Sequence, residues 1–210
     1  KQLIVSGIPV ADKFSVTLDR KDTAKAIGID PDLFTISVMK ASFFPVSAKK
    51  LISELKKIKT KTQVVIVNGK DKKQKAKIDK LIKKAGLIHT MHNIGFTDKM
   101  VEYLKCTDLV LGKAGGLSTT ECINAGVPSL IVNHLPQQEI YNKNYLIDNN
   151  CAIAVTSSTI AKTINNVLDN PKQLDILKKS TQKVAIHGSL NKMYDIISKC
   201  PTPDYSDLKV

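Results

Sequence analysis

The chain has 210 residues, 42% of them hydrophobic, and a formal net charge of +13. That length supports one large domain or two small ones, and no run reaches the ~18 apolar residues of a membrane-spanning helix. Arg20 is the only arginine among 32 basic residues, which argues against nucleic-acid partners, because the forked guanidinium is the usual reader of bases and phosphates.

The opening "KQLIVSGIPVADKF" lacks the long apolar core of a signal peptide. It also lacks an initiating Met, so residue 1 is not expected to be the start of the gene product. Short apolar runs then predict strands at 35–40, 63–68, 87–92, 108–112, 128–132 and 151–155. Amphipathic stretches predict helices at 47–59, 72–85, 97–105, 118–125, 137–149, 158–169, 171–182 and 189–199. Helices alternating with short buried strands read as repeated βα units around a parallel sheet, an α/β fold in one domain. The tail 201–210 holds two prolines and reads as a loosely held end.

Residues 49–84 carry 14 lysines against Glu54, Asp71 and Asp79. Such a face is either simply solvated or drawn to an anionic membrane surface, where each basic residue contributes ~1 kcal/mol. Cys106, Cys122, Cys151 and Cys200 form no CxxC pair. Free thiols suit a reducing, cytoplasmic setting. The histidines of "HTMH" at 89–92 do not make a metal site by themselves.

Ligands of parallel sheets bind beyond the carboxyl ends of the strands, so the loops at 40–47, 93–99 and 112–118 carry the functional information. The third belongs to "LVLGKAGGLSTTECINAGVPSLIV" at 109–132. Gly115 and Gly116 permit unusual backbone angles and close approach of a ligand. Ser118-Thr119-Thr120-Glu121 fits a capping box, with Ser118 as cap and Glu121 reaching back to the cap amide. A helix start of this kind offers unpaired amides and a positive dipole to an anion. A purely structural cap explains the same letters. Farther on, Gln137, Gln138, Glu139 and Asn142 crowd a helix start, either as a grip for sugar hydroxyls or as an ordinary polar first turn.

"GFTDKM" at 95–100, "DLVLGKAGGLSTTECINAGVP" at 108–128 and "LPQQEIYNKNYLIDNN" at 135–150 have an order and spacing that resemble the donor-binding half of family 28 glycosyltransferases. The glycolipid branch is most similar: monogalactosyldiacylglycerol synthases and processive diacylglycerol glucosyltransferases. The resemblance implies the C-terminal, Rossmann-like half of a GT-B enzyme, with residues 1–14 as the inter-domain segment, 15–200 as the UDP-sugar-binding domain and 201–210 as a tail. It implies an inverting transfer of hexose from UDP-glucose or UDP-galactose to a lipid acceptor such as diacylglycerol. No metal cofactor is expected. Phe96 and Thr97 would flank the uracil. Gly115, Gly116, Leu117 and Ser118 would present the helix start to the diphosphate. Glu121 would take the ribose hydroxyls, which suits a carboxylate's two acceptors. Gln138 and Glu139 would meet the sugar, Asn142 would support that turn, and Lys113 would balance phosphate charge or lie in solvent. The acceptor site and catalytic base would belong to an N-terminal domain in cis or in trans, and the enzyme would sit peripherally on a membrane. The isolated domain is expected to be inactive.

Two features depart from the family pattern. The loop "MKASFFPVS" at 39–47 has no glycine, and Val10 is followed by Ala11 where the family often has arginine. Phe43 and Phe44 suggest an apolar surface facing the lipid acceptor or the other domain. Two other readings stay open: a nucleotide-sugar-binding subunit that needs an acceptor-binding partner, and a non-catalytic relative.

Overall fold

The computed structural model describes residues 3–40, 44–87, 89–132 and 137–200. Among these, six strands form one parallel sheet: β1 Thr35–Met39, β2 Gln63–Val67, β3 Thr90–Ile94, β4 Leu109–Gly112, β5 Ser129–Val132 and β6 Ala152–Val155. Their spatial order is β3-β2-β1-β4-β5-β6, the order of a doubly wound, Rossmann-like sheet. Strands β2, β4 and β5 are buried at every position, as strands covered on both faces must be.

The helices are α1 Arg20–Ile27, α2 Ala48–Leu55, α3 Lys72–Ala85, α4 Met100–Lys105, α5 Gly116–Ala125, α6 Gln137–Asp148, α7 Ile160–Asp169, α8 Pro171–Val184 and α9 Ser189–Ser198. Alternate strand residues point to opposite faces, and this sorts the core. Ile36, Val38, Leu109, Leu111, Leu130 and Val132 pack with Leu51 of α2, Ile78 of α3 and Ile164 of α7. On the other face Val110 meets Leu104 of α4 and Cys122 of α5, Val65 meets Ala24 of α1, and Ile131 meets Leu146 of α6. Phe14, in a short 3-10 helix at Asp12–Phe14, is buried in this second face.

Three differences from the sequence expectations have physical causes. Helix α1 was not expected. Its apolar content is low, yet Asp19 accepts from the Asp22 amide at its start and Gly28 closes it in the left-handed region at φ 71°. Strand β3 begins three residues later than expected, at Thr90. Gly86 ends α3 in a left-handed cap, and the register Gln63↔Thr90 through Val67↔Ile94 is set by pairing with β2. The apolar start of that run is a connection, in which Leu87 packs against the core. The 40–47 loop differs as well. Phe44 is 9% exposed and packs in the first core with Val46, so it presents no surface to a lipid. Phe43 lies outside the described residues.

Two charged hubs hold the elements together. Asp108, just before β4, accepts from Arg20 Nη2 (2.9 Å), Lys178 Nζ (2.9 Å) and the Thr35 amide (3.0 Å). Arg20 also donates to the carbonyls of Pro31 and Leu33. The sole arginine thus fastens the amino edge of the sheet. The side chain of Glu54 is fully buried and accepts from Lys57 (2.6 Å), Lys50 (3.0 Å) and the Ala161 amide (3.2 Å), which ties α2 to α7. Burial alone would raise its pKa, but these three donors together hold it below the ordinary value.

A depressed carboxyl pKa stabilises the fold above its unfolded value, and that contribution is lost as pH falls through the folded value. Urea unfolding should therefore show wild-type stability declining below pH 4.5. Glu54→Gln should cost about 3 kcal/mol at pH 7 and show a flatter acid limb. Parallel acid limbs for the two proteins would contradict this role.

Candidate functional site

The direction of winding reverses between β1 and β4. Helices after β1 cover one face and the helix after β4 covers the other, so their loops diverge and leave a crevice at the carboxyl edge. Helix α5 starts at that crevice. Its N-cap is Gly115, with φ −70° and ψ 139°, and no side chain caps it. Ser118 therefore lies inside the first turn, and the expected capping box does not form. The helix starts earlier than expected because the Gly115 carbonyl already accepts from the Thr119 amide (2.9 Å). The first-turn amides have no preceding carbonyls to bond, so they remain available to a ligand.

Neither Gly115 nor Gly116 has a positive φ. Their value is space, not backbone angle. A Cβ on Gly116 would stand 3.3 Å from Ile8 Cδ1 of the N-terminal segment, which crosses over the helix start. A Cβ on Gly115 would stand 3.8 Å from both Glu139 Oε1 and Lys113 Cε. Leu117 is 61% exposed. Thr119 Oγ1 is buried without a partner, and Thr120 Oγ1 donates to the Gly116 carbonyl (2.8 Å).

Glu121 stands on the second turn of α5, partly buried. With the capping box absent, it makes no side-chain hydrogen bond to another described residue. Burial raises its pKa, and the charge of Lys13 opposes that rise. Next to it, Cys122 faces the core, and burial pushes its thiol up to about 12, so it stays protonated. The first turn of α6 closes over the glycine loop from the other side. Lys113 Nζ lies 2.6 Å from Glu139 Oε1, and Asn142 Nδ2 donates to the Ala114 carbonyl at 2.9 Å. Gln138 is exposed in the same turn.

Phe96 follows β3 on the same carboxyl edge. It is not a core residue: it is 69% exposed, with Lys70 Nζ 5.6 Å from the ring centroid. Thr97 Oγ1 accepts from the Lys99 amide (3.0 Å) and shapes that turn. Strands β3 and β4 are three strand spacings apart, about 14 Å. The two groups of residues expected to form one site thus share an edge and are separated by that span.

Sequence reasoning missed three participants. Ile8 and Lys13 bring the N-terminal segment to α5. Lys40, at the end of β1, is 3% exposed, donates to the Val46 carbonyl (3.0 Å) and lies over the Phe44 ring at 4.9 Å. Burial lowers its pKa. A Lys just after an apolar run was the available signal for Lys40. His89 and His92 do not converge. His89 Nε2 meets the Leu55 carbonyl and His92 Nε2 meets Gln63.

The family described as Glycosyltransferase family 28 C-terminal domain matches residues 43–199. The chain belongs to this family. This family 28 domain is 26% identical over 207 residues to a processive diacylglycerol beta-glucosyltransferase of Staphylococcus epidermidis, covering 95% of this chain and 52% of the relative. It is 28% identical to that of Staphylococcus aureus over 214 residues, covering 94% and 54%. The chain spans about half the length of the curated relatives it matches. Among solved structures it resembles Acinetobacter baumannii MurG, with TM-score 0.69 and 20% identity over 92% of this chain and 58% of that one. It also resembles Anabaena HepE in complex with UDP-glucose, with TM-score 0.67 and 14% identity over 91% and 56%. The fold is that of the C-terminal half of a GT-B glycosyltransferase.

If Gly115 serves a ligand and not the fold, a methyl there is harmless without ligand. Gly115→Ala should change unfolding free energy by less than about 1 kcal/mol in urea titration. A larger loss would mean that the glycine is required by the fold.

Proposed function

We propose that this domain binds the UDP-sugar donor of an inverting hexosyltransferase whose acceptor is a lipid such as diacylglycerol. The observation that supports this most is the α5 start: first-turn amides at the β1/β4 crevice with no helical partner, and one turn farther along a partly buried Glu121 that bonds no other described residue. In this reading the diphosphate lies on the amides of Gly116, Leu117 and Ser118. Glu121 accepts from the ribose hydroxyls, and the uracil reaches the exposed Phe96 and Thr97. The 14 Å between the two groups is comparable to an extended nucleoside diphosphate. Gln138 and Glu139 meet the hexose.

The chemistry follows from where charge grows. Breaking the glycosidic bond leaves negative charge on the departing UDP. Amides and a helix dipole already placed there stabilise that charge without reorganising, so the scheme calls for no divalent ion. An acceptor hydroxyl must lose a proton as it attacks. In this reading the base belongs to the acceptor-binding half, in the same chain or on a partner. The similarity to processive diacylglycerol beta-glucosyltransferases supports the lipid acceptor.

The lysine-rich outer surface of α2 and α3 supports association with an anionic membrane. Of the 14 lysines at 49–84, on these helices and the connections between them, all but Lys50 and Lys75 are exposed. Among the described residues no helix is long and apolar enough to cross a membrane. The relation to that surface is therefore proposed to be peripheral and cytoplasmic.

Calorimetric titration with UDP, UDP-glucose and UDP-galactose tests the reading. UDP should bind, and Glu121→Ala should weaken it about tenfold or more, the loss expected for hydrogen bonds to a charged acceptor. Gly115→Ala should weaken it similarly while remaining folded. Absence of UDP binding at millimolar concentration would contradict the reading.

The pH dependence has a definite sign. Glu121 must be ionised to accept both hydroxyls, and burial raises its pKa above 4.5. Affinity for the preferred UDP-hexose, whose diphosphate lacks the terminal-phosphate titration of UDP at pH ~6, should be full near pH 8 and fall on acidification, beginning above pH 4.5. Glu121→Gln should lack that fall. A wild-type affinity that is flat from pH 8 to pH 4.5 would contradict the assignment.

A further inference from the structure

Lys113 follows the last residue of β4, and Glu139 lies in the first turn of α6. Their side chains are 27% and 13% exposed, and Nζ lies 2.6 Å from Oε1. The other carboxylate oxygen, Oε2, is buried and has no hydrogen-bond partner. A buried acceptor without a donor is costly and calls for an explanation. The surroundings are fixed. Asn142 Nδ2 holds the Ala114 carbonyl at 2.9 Å, which ties α6 to the loop that carries Lys113. The missing side chain of Gly115 leaves room beside both members of the pair.

We propose that Lys113 is a positioning residue that sets sugar specificity and is not a ligand of the diphosphate. This rests on the donor-binding reading above. By engaging Oε1, the ammonium stops the carboxylate from turning. Oε2 then keeps its acceptor capacity unmet among the described residues, and a hydroxyl of the donor hexose would supply the donor it lacks. Pairing with Glu139 at 2.6 Å already offsets the ammonium charge that a phosphate would draw on. The diphosphate has the α5 amides and does not need it. UDP lacks the hexose, so it should be indifferent to the pair.

The test compares UDP with UDP-glucose and UDP-galactose by calorimetry on wild type, Lys113→Met, Lys113→Arg and Glu139→Gln. Lys113→Met should leave UDP affinity within about twofold. For the preferred hexose, the ratio of UDP-hexose to UDP affinity should fall about tenfold, as for one hydrogen bond to a charged group. Glu139→Gln should lower that ratio similarly, and Lys113→Arg should restore most of it. A tenfold loss of UDP affinity itself in Lys113→Met would make Lys113 a phosphate ligand and overturn the proposal. So would a ratio unchanged in both Lys113→Met and Glu139→Gln. If Lys113→Met does not fold, Glu139→Gln and Lys113→Arg decide on the same ratio. Wild-type protein that binds no UDP would defeat the donor-binding reading, and this inference with it. Wild-type UDP binding with an unmoved ratio would defeat this inference alone.

Discussion

The first turn of α5 carries amides that no carbonyl of its own helix can satisfy. Where those amides lie decides what the domain can do. The sheet order places them at the reversal between β1 and β4, where loops part and a ligand has room. Two glycines keep the approach open, since a side chain at either would meet Ile8 or the Lys113–Glu139 pair. Helix α6 is fastened to the same loop by that pair and by Asn142. The first turn of α6 and the loop before α5 are thus tied together, and in the donor-binding proposal this is preorganisation of the kind that charge stabilisation in a transition state requires.

Charge is distributed differently at the two edges of the sheet. The sole arginine and Asp108 lock the amino edge, with Lys178 as a third member. Glu54 gathers two lysines and an amide between α2 and α7. At the carboxyl edge, by contrast, acceptors are left open: Glu121 has no hydrogen bond to another described residue, and Glu139 keeps one oxygen unpartnered. The amino edge thus carries a closed ion-pair hub, while at the carboxyl edge acceptors stay unmet among the described residues. In the glycine-less loop after β1, Lys40 and Phe44, on either side of residues 41–43, are both buried, and the loop after β4 carries most of the donor-binding proposal.

Much of this was readable from the letters, because burial on both faces writes itself as apolar runs. The runs "TISVM", "QVVIV" and "SLIV" became β1, β2 and β5. "KAGGLSTTE" marked the helix start, though not its first residue. A capping box and an uncapped glycine start share the same sequence, and only the Thr119–Gly115 bond separates them. Helix α1 was missed because its eight residues are mostly polar and its caps, Asp19 and Gly28, were the only signal. The pairing of Lys113 with Glu139 spans 26 residues, and no local pattern encodes a contact made by tertiary packing. The letters alone leave Phe96 as consistent with a core as with a platform; the family resemblance implied the platform, and Phe96 is exposed.

In the donor-binding proposal the α5 start and the Phe96 turn belong to one nucleotide site. Backbone amide resonances, mapped by nitrogen-15 NMR as UDP is added, test it most directly. Shifts should concentrate at Gly115, Gly116, Leu117 and Ser118, with a second group at Phe96 and Thr97, and none around Arg20 and Asp108. Saturable UDP binding that leaves the α5 amides unmoved, or that shifts the amino edge instead, would contradict it.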